Sequence, residues 1–209
     1  MMNGTCYIVG ASPELGRVDF TARDGDLVIA ADGGFLHLKT LGIAPDVVIG
    51  DFDSLDFVPP SVTVLRHPQK KDDTDMMLAI RYGLDLGYSR FEIYGGLGGR
   101  LDHTFANIQA LTYLARHGAR GTLVGADTRA TVICSGCAAF DADAAGTVSV
   151  FALDEAVTGV TETGLPYRLD DAVLTNANPV GVSNEFIGVN SEISVKSGAL
   201  LIIYSASSP

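Results

Sequence analysis

Over residues 5–124 the chain alternates short apolar runs with helical patterns, and this alternation restricts the fold more than any other feature. Strands are expected at 5–9, 27–31, 47–49, 62–65, 91–94 and 121–124. Helices are expected over 35–41, 74–86 and 101–116, stopping at Gly42, Gly87 and Gly118. The second helix should bury Met76, Met77, Ile80 and Leu84, and the third Phe105, Ile108, Leu111 and either Leu114 or Ala115. Such spacing implies an α/β fold: a Rossmann-like, mostly parallel sheet with helices on both faces.

After about Asp127 no helical period lasts two turns. Short β-like runs at 147–153, 156–161, 165–169, 179–183, 192–195 and 200–205 are split by turn residues, which points to a C-terminal antiparallel β-sandwich. The expected organisation is an α/β domain over 1–127 and a sandwich over 128–209, without a flexible linker. Internal repeats and low-complexity tracts are absent from the sequence.

A chain of 209 residues with 47% hydrophobic content and a net charge of -11 can build a sizeable core but offers no basic face. That charge argues against nonspecific binding to nucleic acid or an anionic membrane. The start lacks a basic region, and no apolar stretch approaches the ~20 residues that span a bilayer. A cytoplasmic protein is expected. Cys6, Cys134 and Cys137 are too few for a disulfide scaffold, and Cys134 to Cys137, though a C-x-x-C, follows a strand-like run where a redox pair would open a helix.

Acidic residues concentrate where strands should end or helices begin, the places where open α/β sheets hold ligands. Asp32 stands in Ala31-Asp32-Gly33-Gly34, Asp51 and Asp53 follow the run 47–49, and Asp72, Asp73, Thr74 and Asp75 precede the second helix. An acidic turn or a helix cap explains any one cluster. Three carboxylates within four positions exceed what a cap requires, and their repulsion calls for a cation. Magnesium, a hard ion that takes one or two carboxylates plus phosphate oxygens, suits such residues. The segment Gly95-Gly96-Leu97-Gly98-Gly99-Arg100 can bring backbone amides and a helix start close to phosphate, with Arg100 adding a planar fork. Asp102 could orient Arg100 or cap the helix, and His103 is read as a helix-start residue.

Taken in order, these motifs, through Leu101-Asp102-His103 and the late Gly181-Val182-Ser183-Asn184-Glu185-Phe186, resemble the thiamine pyrophosphokinase family over most of the chain. The resemblance implies Mg-dependent transfer of a pyrophosphoryl group from ATP to the hydroxyethyl oxygen of thiamine. It also implies a homodimer whose sites are shared between subunits. By matching motif it implies Asp51, Asp53 and Asp75 as metal ligands, and Asp32, Asp73, Arg100 and Asp102 in the catalytic set. The nucleotide would meet Gly33, Gly34, Thr74, Gly95, Gly96, Gly98, Gly99, Arg100 and His103. Thiamine would meet Ser183, Asn184 and Asp102. Some members stack a tryptophan on the thiamine pyrimidine; this chain has none, and Phe186 or Tyr167 could stand in. A nonenzymatic thiamine or nucleotide sensor and a phosphohydrolase using water as acceptor are the competing readings of the same site.

Overall fold

Five parallel-sheet strands, β1 (Cys6–Val9), β2 (Leu27–Ala31), β3 (Val47–Gly50), β4 (Thr63–Arg66) and β5 (Arg90–Tyr94), carry the first part of the chain. The structure is a computed structural model that describes residues 2–50, 63–66 and 73–206. Three helices, α1 (Gly34–Leu41), α2 (Asp75–Asp85) and α3 (Leu101–Arg116), and a further strand, β6 (Arg120–Val124), complete this part. Sheet order is β6-β5-β1-β2-β3-β4, with β1 paired in parallel to both β2 and β5. Every residue of β2 and β3 is buried, as expected for strands covered on both faces. The chain first builds outward from β1 through β2, β3 and β4, then returns to add β5 on the other side of β1. The order therefore reverses between β1 and β5, and the crevice beyond their carboxyl ends is where such sheets bind ligands.

The chain divides into two compact units, Met1–Ala110 with Gly121–Ala126, and Leu111–Arg120 with Asp127–Pro209. The second half of α3 goes with the later unit, where Arg116 donates to Asp154 at 2.6 Å. Among the described residues no helix is long and apolar enough to cross a membrane.

Helix faces differ in detail from the sequence expectation. α2 buries Met76, Ala79, Ile80 and Gly83, while Met77 and Leu84 are only half-buried. The stripe rotates toward Gly83 because a Cβ there would stand 2.6 Å from the Phe91 ring and 2.9 Å from the Cys6 sulfur. A bare backbone lets the helix settle onto β1 and β5. On α3 Leu111 and Leu114 are buried as expected, but Phe105 is 59% exposed, and Asn107 and Ala110 take the inward positions.

The later unit consists of β7 (Thr128–Phe140), β8 (Thr147–Ala152), β9 (Val157–Thr163), β10 (Ala172–Leu174), β11 (Asn184–Glu185) and β12 (Ser191–Ser205), all paired antiparallel. The runs 192–195 and 200–205, expected as two strands, form one. The register of β12 against β7 shifts between Val195 and Ala199, so its first half borders β9 and its second half β8. Two half-sheets sharing long strands enclose one core that includes Val150, Val160, Leu165, Leu174, Ile193 and Leu200. Residues 165–169 and 179–183 are loops rather than strands. Positive φ at Gly181 and Ser183 interrupts the ladder in the second, and the Tyr167 peptide bonds to a side chain in the first.

Candidate functional site

The connections after β1, β2 and β5 and the start of α2 meet around a cavity of about 330 Å³ in the first unit. Gly10, Ala11, Ser12 and Pro13 form one wall, Asp32 a second, and Thr74, Asp75 and Met76 a third. Gly95, Gly96, Gly98, Arg100, His103 and Asn107 close it. Two glycines permit this approach. A Cβ on Gly34 would collide with the Val9 carbonyl, so α1 can start directly against the end of β1. Gly95 has φ +62, and a Cβ there would stand 2.5 Å from the Gly10 oxygen, so the ends of β1 and β5 touch through backbone.

Hydrogen bonds fix which face the glycine turn presents. Ser12 N donates to Gly95 O at 3.1 Å, Asn107 Nδ2 to Gly96 O at 2.8 Å, Ser12 Oγ to Leu97 O at 2.7 Å and Thr104 Oγ1 to Gly98 O at 3.4 Å. With these carbonyl oxygens already engaged, what the turn has to offer a ligand is its N–H groups. That is an anion-binding arrangement.

Among the described residues, Asp32 and Asp75 are the carboxylates on the cavity wall. Asp32 is exposed and sits at φ +51, a left-handed conformation that Asp tolerates better than most residues. Asp75 opens α2 behind Thr74, whose Oγ1 caps the helix by accepting from Met77 N at 3.2 Å. Its Oδ2 lies 3.8 Å from where a Cβ on Gly50 would stand, which places it at the carboxyl end of β3. Asp73, by contrast, turns to Arg81 at 3.5 Å and does not line the cavity. Asp51 and Asp53 lie outside the described residues, and among the described residues no group of three acidic, histidine or cysteine side chains is placed to hold a metal.

Arg100 lines the cavity but is gripped by Asp102, which accepts from Nε at 3.1 Å and Nη2 at 2.5 Å. This bond raises the Arg100 pKa and lowers that of Asp102 from their ordinary values; both side chains are exposed. Asp102 also accepts from His103 N at 3.0 Å, its own neighbour within the first turn of α3, so of the two functions expected of it the structure shows the contact with Arg100 and not a cap. Gly33 is the N-cap of α1, and Gly99, at φ +64, packs on Pro13; neither lines the cavity, nor does Gly34. Sequence reading passed over Ser12 and Asn107. Gly10-Ala11-Ser12-Pro13 follows a strand just as the other motifs do, which was the available signal.

In the second unit Ser183 is exposed at φ +62, and its N–H donates to Ser149 Oγ at 3.0 Å. Asn184 is buried. Phe186 packs on Phe140 with ring centroids 5.1 Å apart, whereas Tyr167 is 74% exposed.

Residues 21–123 match the family described as the thiamin pyrophosphokinase catalytic domain, and residues 140–200 match its vitamin B1 binding domain. A thiamine pyrophosphokinase of Bacillus subtilis is 28% identical, with 96% of this chain and 98% of that protein covered. The crystal structure of thiamine pyrophosphokinase from Bacillus subtilis superposes with a TM-score of 0.87 at 27% identity, covering 98% of this chain and 100% of that one. That of thiamin pyrophosphokinase from Geobacillus thermodenitrificans gives 0.83 at 28% identity, with 98% of each chain covered.

Proposed function

The chain belongs to the thiamin pyrophosphokinase family, and on that premise we propose how its two units divide the reaction. An intact pyrophosphoryl group passes from ATP to the hydroxyethyl oxygen of thiamine, giving thiamine diphosphate and AMP. The 1–127 domain binds ATP and the 128–209 domain binds thiamine. The observation that carries this assignment is the cavity itself, where two carboxylates face a glycine turn whose carbonyl oxygens are already bonded.

Within that cavity the N–H groups of Gly96 and Gly98 and the start of α3 hold phosphate oxygens, and Arg100, held by Asp102, adds its positive charge. Thr74 and His103 complete the nucleotide site, while Gly33, Gly34 and Gly99 shape its backbone from outside the lining. Attack on the β-phosphorus forms the new O–P bond as the bond to the bridging oxygen breaks, and AMP leaves with that oxygen. Asp32 accepts the hydroxyl proton. Its support over Asp73 is positional, since Asp32 faces the cavity and Asp73 is held by Arg81. Asp75, a hard oxygen donor at the end of β3, fits Mg2+, and Asp51, Asp53 and Asp75 would hold that ion. When bound, the ion offsets the negative charge of the phosphoryl oxygens. Ser183 meets thiamine and Asn184 holds the turn behind it, in a cytoplasmic homodimer with shared sites.

Identifying the products tests this function. Incubation with Mg-ATP and thiamine should yield AMP and thiamine diphosphate in equal amounts. ADP with thiamine monophosphate would make the protein an ordinary kinase, and phosphate release without thiamine a phosphohydrolase.

A further inference from the structure

Glu162 is the one acidic or basic side chain that is buried among the described residues, at 3% exposure. It lies on β9 opposite Ile193 of β12, against an apolar core. A carboxyl group in that setting needs a partner. The partner is Asn184, whose Nδ2 donates to Glu162 Oε2 at 3.0 Å. The second hydrogen of Nδ2 goes to Tyr167 O at 2.6 Å, and Oδ1 accepts from Tyr167 N at 3.2 Å and Glu185 N at 3.1 Å. Both donors and both acceptor positions of the amide are therefore used. Asn184 has nothing left to give a ligand.

What the amide holds is more informative. On one side it pairs with both polar groups of the Tyr167 peptide, leaving that ring 74% exposed. On the other it ties β11, which pairs with β8 and begins immediately after Ser183, the exposed residue at φ +62, to Glu162 of β9. Three segments distant in sequence, the loop at Tyr167, the turn at Ser183 and strand β9, are tied at one point. The Asn184 to Glu162 bond also determines which way the amide faces. An apolar residue at 162 would strand one donor and free the side chain to turn.

We propose that Glu162 is a positioning residue for thiamine: acting through Asn184, it fixes Ser183 and Tyr167 as the two surfaces that meet the substrate, without touching it. This rests on the thiamine-binding function given above for the second unit.

Steady-state kinetics on the full-length Glu162→Ala and Glu162→Gln proteins test it, with hydrogen exchange of the Tyr167 and Glu185 amides as a substrate-independent readout. Glu162→Ala should raise the thiamine KM about tenfold and speed exchange at both amides, while the ATP KM and the turnover at saturation change less than about twofold. Glu162→Gln, whose amide oxygen accepts the same bond, should restore the thiamine KM to within about threefold of wild type. A folded Glu162→Ala protein with an unchanged thiamine KM overturns the inference, as do parallel losses in both KM values and turnover. If Glu162→Ala does not fold, the exposed-site variants Ser183→Ala and Tyr167→Ala decide. Each should raise the thiamine KM alone, and no change in either overturns the inference. Wild-type protein that turns over ATP but never thiamine removes the functional premise instead, and the inference with it.

Discussion

The cavity of the first unit and the turn at Ser183 in the second are built on opposite plans. The cavity is made mostly of backbone at strand ends, with the carboxylates of exposed Asp32 and half-buried Asp75 added, and its close approaches depend on residues that lack a side chain, such as Gly34 and Gly95. The turn is held on one side by bonds to β8 and on the other by one buried side chain whose every polar atom is used, bonding residues 17 and 22 positions away. A triphosphate presents many equivalent oxygens, so a cradle of amides and carboxylates serves it without fine side-chain geometry. Thiamine, a thiazolium cation joined to an aminopyrimidine, has a few polar groups at fixed positions on flat rings, and a site for it depends on rigid placement of a few surfaces.

That contrast can be broken by experiment. The largest effect should come from Asp75→Asn, which removes a charge from the cavity without altering packing. Turnover should fall by about 100-fold or more while the circular dichroism spectrum is retained. Loss of the fold along with activity would make Asp75 a structural residue. Gly95→Ala should act through backbone, because a Cβ there meets the Gly10 carbonyl at 2.5 Å and the site needs φ +62. A stability loss of about 1–3 kcal/mol is expected, with a rise in the ATP KM and not in that of thiamine. Denaturant unfolding and paired KM measurements check it, and an unchanged ATP KM would mean the cradle does not need this contact.

The smallest effect concerns the bond between Asn184 and Glu162. Burial raises the Glu162 pKa above its ordinary 4.5, with the bond from Asn184 opposing. The native state therefore holds this proton to higher pH than the unfolded chain does. Its contribution to stability is complete below 4.5 and is lost as pH rises through the raised value. Glu162→Gln cannot ionise, so its stability relative to wild type should be greater at neutral pH than at pH about 4.5. Melting temperatures across that range check the sign, and parallel curves for the two proteins would show that Glu162 does not titrate in this window.

Much of the first unit was legible because its signals are local. Strand runs, glycine stops and an acidic residue after a strand each need only a few neighbouring positions to be recognised, and α1, α2 and α3 appear within about two residues of their expected ends. Asp32, Thr74, Asp75, Gly95, Gly96, Gly98, Arg100 and His103 converge because parallel strands bring all their carboxyl ends to one edge. Ser12 and Asn107 were missed because a single serine or asparagine carries no pattern until its partner, here a carbonyl of the glycine turn, is in place.

The second unit was less legible. Strands β7 and β12 are longer than their hydrophobic runs suggest, since the register shift that lets β12 border two other strands leaves no apolar signature. Residues 165–169 alternate like a strand, but the Tyr167 peptide bonds to Asn184 rather than to a ladder. By itself, then, the sequence determined the α/β and antiparallel halves and the local motifs for phosphate and metal, because periodicity and turn chemistry act over a few residues. Only the tertiary structure decided which carboxylates face the cavity, that Asp73 turns away to Arg81, and that Asn184 is fully bonded beside a buried Glu162. Those outcomes depend on contacts between residues distant in sequence, made only once the chain has folded.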